Sequence, residues 1–142
     1  MSLTASVSTW FRQRWQPLSL GERGEKQAAR YLRRLGYKIL FTRHRSRYGE
    51  FDILAVDGQT VVFVEVKTRR NTSDDRPAEA VDAHRQARLT RAALAFLKAH
   101  RLLEYPSRFD VIEVHWPKLE KRPAIQHLRN AFPPASRNQF FS

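Results

Sequence analysis

Cysteine does not occur in the 142-residue chain, which excludes disulfides and thiolate metal sites and leaves oxygen and imidazole as the groups able to hold a metal. The histidines, His44, His84, His100, His115 and His127, lack the close spacing that zinc sites show, and read as surface or core residues. Long apolar runs are missing too: none approaches the ~20 residues that cross a bilayer, and the N-terminus carries no continuous apolar stretch of the signal-peptide kind. These absences lead to the expectation of a cytoplasmic protein with no membrane partner. Acid is scarce beside base, with 14 Asp and Glu against 26 Lys and Arg and a formal charge of +12. Such a balance favours a polyanion, nucleic acid foremost, through release of counterions, although ribosome-associated and membrane-surface proteins are equally basic.

No internal repeat is visible, and the length, with 42% apolar residues, suits one compact domain. Residues 1–18 read as an extension. They are rich in Ser and Thr, carry Trp10, Phe11 and Trp15 among Arg12 and Arg14, and show no period, as a segment that docks on its own domain or on a second subunit would. Ser19-Leu20-Gly21-Glu22 has the capping-box spacing, and Ala28, Ala29, Leu32 and Leu35 then repeat at helical intervals up to Gly36. Projected one turn back, that stripe reaches Glu25, which therefore needs a partner, while Lys26, Arg30, Arg33 and Arg34 face solvent. Tyr37 to Thr42 predicts a strand, followed by a basic loop, Arg43-His44-Arg45-Ser46-Arg47-Tyr48-Gly49. Phe51 to Val56 and Val61 to Lys67 predict two strands joined through Asp57-Gly58, a hairpin signal. A polar loop spans Arg69 to Glu79, and a helix runs from about Ala80 to His100 on an inner stripe of Leu89, Ala92, Ala93, Phe96 and Leu97, with Gln86 near its start. Phe109 to Val114 alternates like a strand, Ala124 to Leu128 suits one more, and the tail 133–142 reads as irregular. The order helix, three strands, helix, one or two strands predicts an α/β domain over 19–132, a mixed sheet flanked by helices.

The hairpin carries the chemistry. Glu65 and Lys67 share one face of an otherwise apolar strand, and burying charge costs several kcal/mol per ion unless it is paired or bound to a metal. If Asp57-Gly58 alone forms the turn, Asp52 lies diagonal to Glu65. If Asp57 to Thr60 forms a four-residue loop, Val56 pairs with Val61 and Asp52 faces Glu65 directly. A three-residue loop removes this pairing. Carboxylates roughly 5–8 Å apart at Cβ repel unless a cation lies between them, and Mg²⁺, or Mn²⁺, suits two carboxylates, a backbone carbonyl such as that of Val66, and a substrate phosphate. Lys67 then adds a charge beside the attacking water or the phosphorus oxygens, which points to phosphodiester hydrolysis. The competing reading is a buried salt-bridge network of Asp52, Glu65 and Lys67 without activity. Glu50 reads as a rim residue, and Asp110 as a partner of Arg108 or a strand cap.

Gly24-Glu25, Gly49-Glu50-Phe51-Asp52, Val64-Glu65-Val66-Lys67, Phe109-Asp110-Val111-Ile112 and Asn130-Ala131-Phe132 together resemble the YraN-type family of uncharacterised bacterial proteins. That family is similar to archaeal Holliday-junction resolvases of the PD-(D/E)xK, restriction-endonuclease-like group. The resemblance runs from about Gly21 to Phe132 and departs from the motif's name only where Phe51 stands in place of Pro. It implies a restriction-endonuclease-like core with Asp52 and Glu65 as metal ligands, Lys67 as the catalytic lysine, Glu25 as a helix-borne acid and Gln86 as a further contributor.

The leading expectation is a Mg²⁺-dependent endonuclease for branched or structured DNA, with Arg43, Arg45, Arg47, Arg69 and Arg70 holding phosphates and a homodimer matching a two-fold substrate. The alternative is a DNA- or RNA-binding module that keeps the fold without catalysis. An adaptor role for the Trp-containing N-terminus is a third.

Overall fold

Ser19 accepts a 3.2 Å hydrogen bond from the Glu22 amide and so opens the first helix, α1, Leu20–Arg34. A computed structural model describes residues 17–70, 81–117 and 121–135, so the extension up to residue 16, most of the loop after Arg69 and the end of the tail lie outside the described residues. The apolar stripe behaves as its spacing predicts through Ala28, Ala29 and Leu32, which are buried, and the basic residues Lys26, Arg30, Arg33 and Arg34 are exposed. Leu35 departs from it. It is the C-cap, past the last turn that meets the sheet, and is exposed.

Strand β1, Lys38–Ser46, is longer than expected, and only Arg47 and Tyr48 separate it from β2, Gly49–Asp57. The stretch predicted as a basic loop is therefore mostly strand. Ser46 pairs with Gly49, and the Tyr48 amide donates to the Ser46 hydroxyl at 3.2 Å, a serine turn that lets the chain reverse at once. The β2 strand runs back beside β3, Thr60–Arg69, with Val56 opposite Val61. This is one of the two registers open in the sequence, but the ladder continues to Asp57 and Thr60, leaving Gly58-Gln59 as the turn.

A second helix, α2, Ala83–Ala99, carries the chain from β3 to β4, Ser107–His115, which lies parallel to β3, and β5, Ala124–Phe132, adds an antiparallel edge. A parallel neighbour requires such a crossover. The helix boundary expected at Ala80 falls outside the described residues; Asp82 is the N-cap. β5 outruns its predicted end at Leu128 because Phe132 is buried with its ring stacked on Phe109 at 4.9 Å. The result is an open five-stranded mixed sheet in the order β1-β2-β3-β4-β5, an α/β architecture.

Among the described residues, one helix covers each face. Ala28, Ala29 and Leu32 of α1 pack on Ile53, Val62, Val64 and Ile112, while Leu89, Ala93, Phe96 and Leu97 of α2 pack on Leu54, Phe63 and Val111. Phe51, Phe63 and Phe96 meet edge-to-face at 5.1 to 6.3 Å, contacts worth about 0.5–1.5 kcal/mol each beyond burial of their area. Two glycines set how closely the helices approach. Gly24 in α1 lies against β3 so tightly that a Cβ there would stand 1.8 Å from the Thr68 hydroxyl. Gly49, at φ 137°, lies under α2, where a Cβ would meet the Arg88 carbonyl at 2.7 Å.

Gly24→Ala tests that approach. In an exposed helix the change stabilises by about 1 kcal/mol; here it should destabilise by roughly 1–3 kcal/mol, since α1 must lift off β3. Denaturant unfolding measures it, and Thr68→Ala in the same chain should recover part of the loss. A stabilising Gly24→Ala would show that the helix does not rest on this contact.

Candidate functional site

Apolar faces alternate along β2 until Asp52, and there the alternation breaks. Phe51 and Leu54 both face α2, while Ile53 and Ala55 face α1, so uniform alternation, with Asp52 simply sharing the face of Leu54 and Val56, does not describe this strand. The physical reason lies in the neighbouring strands. Asp52 sits where the register sets it opposite Arg43 of β1 on one side and Glu65 of β3 on the other, and neither pairing is part of the β1–β2 or β2–β3 ladder. Arg43 has left-handed backbone, φ 57°, a conformation costing about 1–2 kcal/mol in a non-glycine residue. Asp52 turns its carboxylate into the gap and accepts the Val66 amide at 2.8 Å, replacing a backbone acceptor that β2 no longer offers. Since N–H and C=O of one extended residue point to the same side, the Val66 carbonyl faces the same gap.

Glu65, largely buried, lies on the α2 face of β3 with Phe63 before it and Lys67 after it. Glu25 comes from α1, one residue beyond the Gly24 contact, and the partner it needs proves to be Arg43, whose Nε donates to it at 2.6 Å and which also lies 3.4 Å from Glu22. The acids act on one another. Burial, then repulsion from Glu65 and from Glu25, push the Asp52 carboxyl up to about 7, against the opposing pull of the Val66 amide and Arg85. Three elements thus deliver negative charge to the end of the β2–β3 ladder. Asp52 and Glu65 face each other there with Glu25 in the background, bonded to Arg43; among the described residues no three acids or histidines stand close enough together to form a metal cage of their own.

Two further residues belong here and escape the sequence reading. Arg85, in the first turn of α2, donates from Nε and Nη2 to the two oxygens of Glu65 at 3.1 and 3.0 Å, and from Nη1 to Glu50 at 3.1 Å. It stands four residues before Leu89, so projecting the α2 stripe one turn back reaches Arg85 as well as Gln86. The expectation favoured Gln86, whose side chain instead donates to the Val81 carbonyl at 2.7 Å. Glu113, buried at 2% exposure, is the in-register neighbour of Lys67 on β4. Its signal is that of Glu65, an acid at an inward position of an apolar strand.

The arginines expected to hold phosphates are not one loop. Arg43 is engaged by α1, Arg45 projects from β1 within 3.3 Å of Glu50, and Arg47 lies over the Tyr48 ring at 4.8 Å on the hairpin tip. Arg69 lies 3.7 Å from Glu113, and Arg70 is exposed just after β3. Arg45, Arg47 and Glu50 do share the rim where β1 and β2 meet.

Asp110, by contrast, is part of a satisfied cluster nearer the hairpin turn. It accepts from Arg108 at 3.0 Å and the Asn130 amide at 2.9 Å, lies 2.7 Å from His127, and those bonds keep its carboxyl below the usual range although burial opposes them. The Arg108 pairing is the one read from sequence.

The raised Asp52 pKa carries a pH signature. Between about 4 and about 7 the folded chain holds a proton that the unfolded chain has released, so stability falls as pH rises through this window. Asp52→Asn keeps an acceptor for Val66 and removes the charge. In EDTA it should melt a few degrees above wild type at pH 8, with the difference fading toward pH 4. Equal melting temperatures across the range would show that the carboxylates do not strain one another.

Comparison with known proteins places the chain. Residues 24–114 match the family described as "Uncharacterised protein family UPF0102", a span that takes in Glu25, Asp52, Glu65, Lys67, Arg85 and Glu113. A UPF0102 protein of Rhodopirellula baltica is 43% identical over 125 residues, 86% of this chain and 75% of that protein. One from Geobacter sulfurreducens is 47% identical over 113 residues, covering 80% and 88% of the two, and one from Alkaliphilus metalliredigens is 44% identical over 114 residues, covering 80% and 97%. The chain belongs to the UPF0102 family, the YraN-type group whose motifs it carries.

Proposed function

We propose that this protein is a divalent-metal-dependent endonuclease that hydrolyses phosphodiesters in branched or structured DNA. The observation that carries the reading is the convergence of Asp52 and Glu65 at one end of the β2–β3 ladder, with Glu25 near enough to raise the Asp52 pKa. Asp52, Glu65 and the Val66 carbonyl are the groups that would hold Mg²⁺ or Mn²⁺. Arg85 bonds both oxygens of Glu65, so an ion held there would meet the guanidinium at the same carboxylate. Such an ion, when bound, neutralises phosphate charge and acidifies a water. Lys67, on the face of Glu65, supplies a point charge toward the phosphate, Glu25 adds to the field that favours a cation, and the rim arginines Arg45 and Arg47 hold the backbone. The net charge of +12 draws the chain to a polyanion, and a cytoplasmic location and a homodimer fit this role. Among the described residues no helix is long and apolar enough to cross a membrane.

A second reading, a nucleic-acid-binding module without catalysis, is favoured by the Arg85 contacts, which give Glu65 and Glu50 a counter-charge from within the chain. Labelled four-way junction, flap and linear duplex, incubated with Mg²⁺ and with EDTA, separate the two. The nuclease reading expects metal-dependent cleavage that drops at least about 100-fold in Asp52→Asn and in Lys67→Ala, with DNA binding retained. Binding without cleavage in any metal would leave the module.

A further inference from the structure

Arg85 is an unusual cation to find where it stands. The first turn of α2 is the positive end of a helix dipole, which disfavours an arginine by about 0.3–1 kcal/mol, and the N-cap Asp82 is the acid nearest to it. Asp82 caps the same turn by accepting the Arg85 amide at 2.7 Å, which fixes the backbone from which the side chain extends. The guanidinium is held from the other side, by three hydrogen bonds of 3.0 to 3.1 Å to Glu65 and Glu50. Its side chain remains 24% exposed, against 10% for Glu65, so it covers the buried acid at the mouth of the site. The acids divide their cations unevenly. Arg43 serves Glu25 and Glu22, Arg45 serves Glu50, and Asp52 is bonded by an amide while sharing the field of Arg85 with Glu65.

A guanidinium fork fits a carboxylate and a phosphate by the same two-pronged geometry. A divalent ion on Glu65 competes with Arg85 for the same oxygens, and the fork, once released at the mouth of the site, meets whatever phosphate lies over it.

We infer that Arg85 is an exchangeable cation: it occupies Glu65 and Glu50 and transfers to the phosphate backbone of the substrate when a divalent ion takes its place. This rests on the nuclease-like reading of the carboxylates, and it makes Arg85 a substrate-binding residue that couples metal entry to DNA.

Mn²⁺ binding to the full chain without DNA, measured by titration calorimetry or by the loss of the free-ion paramagnetic signal, tests it without reference to activity. Arg85→Ala should bind Mn²⁺ at least about tenfold more tightly than wild type, because a competing cation beside the carboxylates is gone. Arg85→Lys keeps the charge and should stay near wild type. In Mg²⁺, or Ca²⁺ to block turnover, Arg85→Ala should bind junction DNA several-fold more weakly, with a salt dependence shallower by about one phosphate contact. Wild-type Mn²⁺ binding that Arg85→Ala leaves unchanged or weakens would overturn the exchange while sparing the metal site. Absence of Mn²⁺ binding in both would overturn exchange and site together. Arg85→Gln, closer in shape, replaces Arg85→Ala if melting curves show the alanine variant unfolded.

Discussion

One substituted hydrogen bond organises the candidate site: a side-chain carboxylate, Asp52, accepts a strand amide, Val66, where a backbone carbonyl belongs. Because β2 stops pairing with β3 there, β3 continues with its amide satisfied by an acid, and the carboxylates of Asp52 and Glu65 come to lie at the ladder end. The constraint spreads outward. Arg43, opposite Asp52, takes left-handed backbone and turns to Glu25, while Phe51 and Leu54 fall on one face of the sheet, which seats Phe51 beside Phe63 and Phe96. A strain of about 1–2 kcal/mol at Arg43 persists because helix α1 and the aromatic cluster both hold the distorted segment.

The sheet carries two polar clusters built to opposite ends. Around Asp110, every charge meets its counterpart: Arg108 bridges Asp110, Asp57 and the Tyr37 hydroxyl, Arg129 reaches Asp57, and His127 closes the group. The carboxyl there is easier to ionise than in water despite its burial. Around Asp52, burial and like charges prevail over the stabilising bonds, and the carboxyl is harder to ionise. A purely structural cluster settles toward the first condition, because an uncompensated buried charge costs several kcal/mol and selection removes it where nothing is gained. The second condition is the one that marks Asp52 out as the candidate functional group of the sheet.

How much of this was legible beforehand follows from which interactions are local. The helices, the hairpin and the mixed sheet come from periodicity and turn residues, and the pairing of Val56 with Val61 was one of two registers allowed by counting. The basic segment from Arg43 to Gly49 was misjudged because its Arg-rich composition hides a strand: outward positions of an edge strand tolerate charge, and the reversal needs only Arg47 and Tyr48. The break in alternation at Asp52 depends on where β2 stops pairing with β3, which no local spacing reports. Arg85 and Gln86 both lie one turn before the buried stripe at the start of α2, and spacing alone does not tell that the arginine reaches Glu65 while the glutamine turns back to Val81. Glu113 shows the same pattern as Glu65, an acid inside an apolar strand, and that criterion applied evenly along the chain finds both.

Precision at the site comes from residues that carry no charge. A metal-binding or phosphate-binding geometry tolerates errors of roughly half an ångström, so the acids must be fixed by the elements that bear them. Gly24 removes the side chain that would hold α1 away from β3 and so sets the height of Glu25 above the sheet; Gly49 does the same for β2 under Arg88 and Ala92 of α2, next to Glu50, which bonds Arg85. The first contact is with the short, branched side chain of Thr68 and the second with a helix carbonyl, neither of which can move far. The charged groups at this end of the sheet are therefore positioned by close backbone approach, which explains why the glycines immediately precede the acids, Gly24-Glu25 and Gly49-Glu50, in the chain. A glycine next to a glutamate is unremarkable as sequence; where the glycine is the point of contact between layers, its neighbour is the residue whose position the contact controls best.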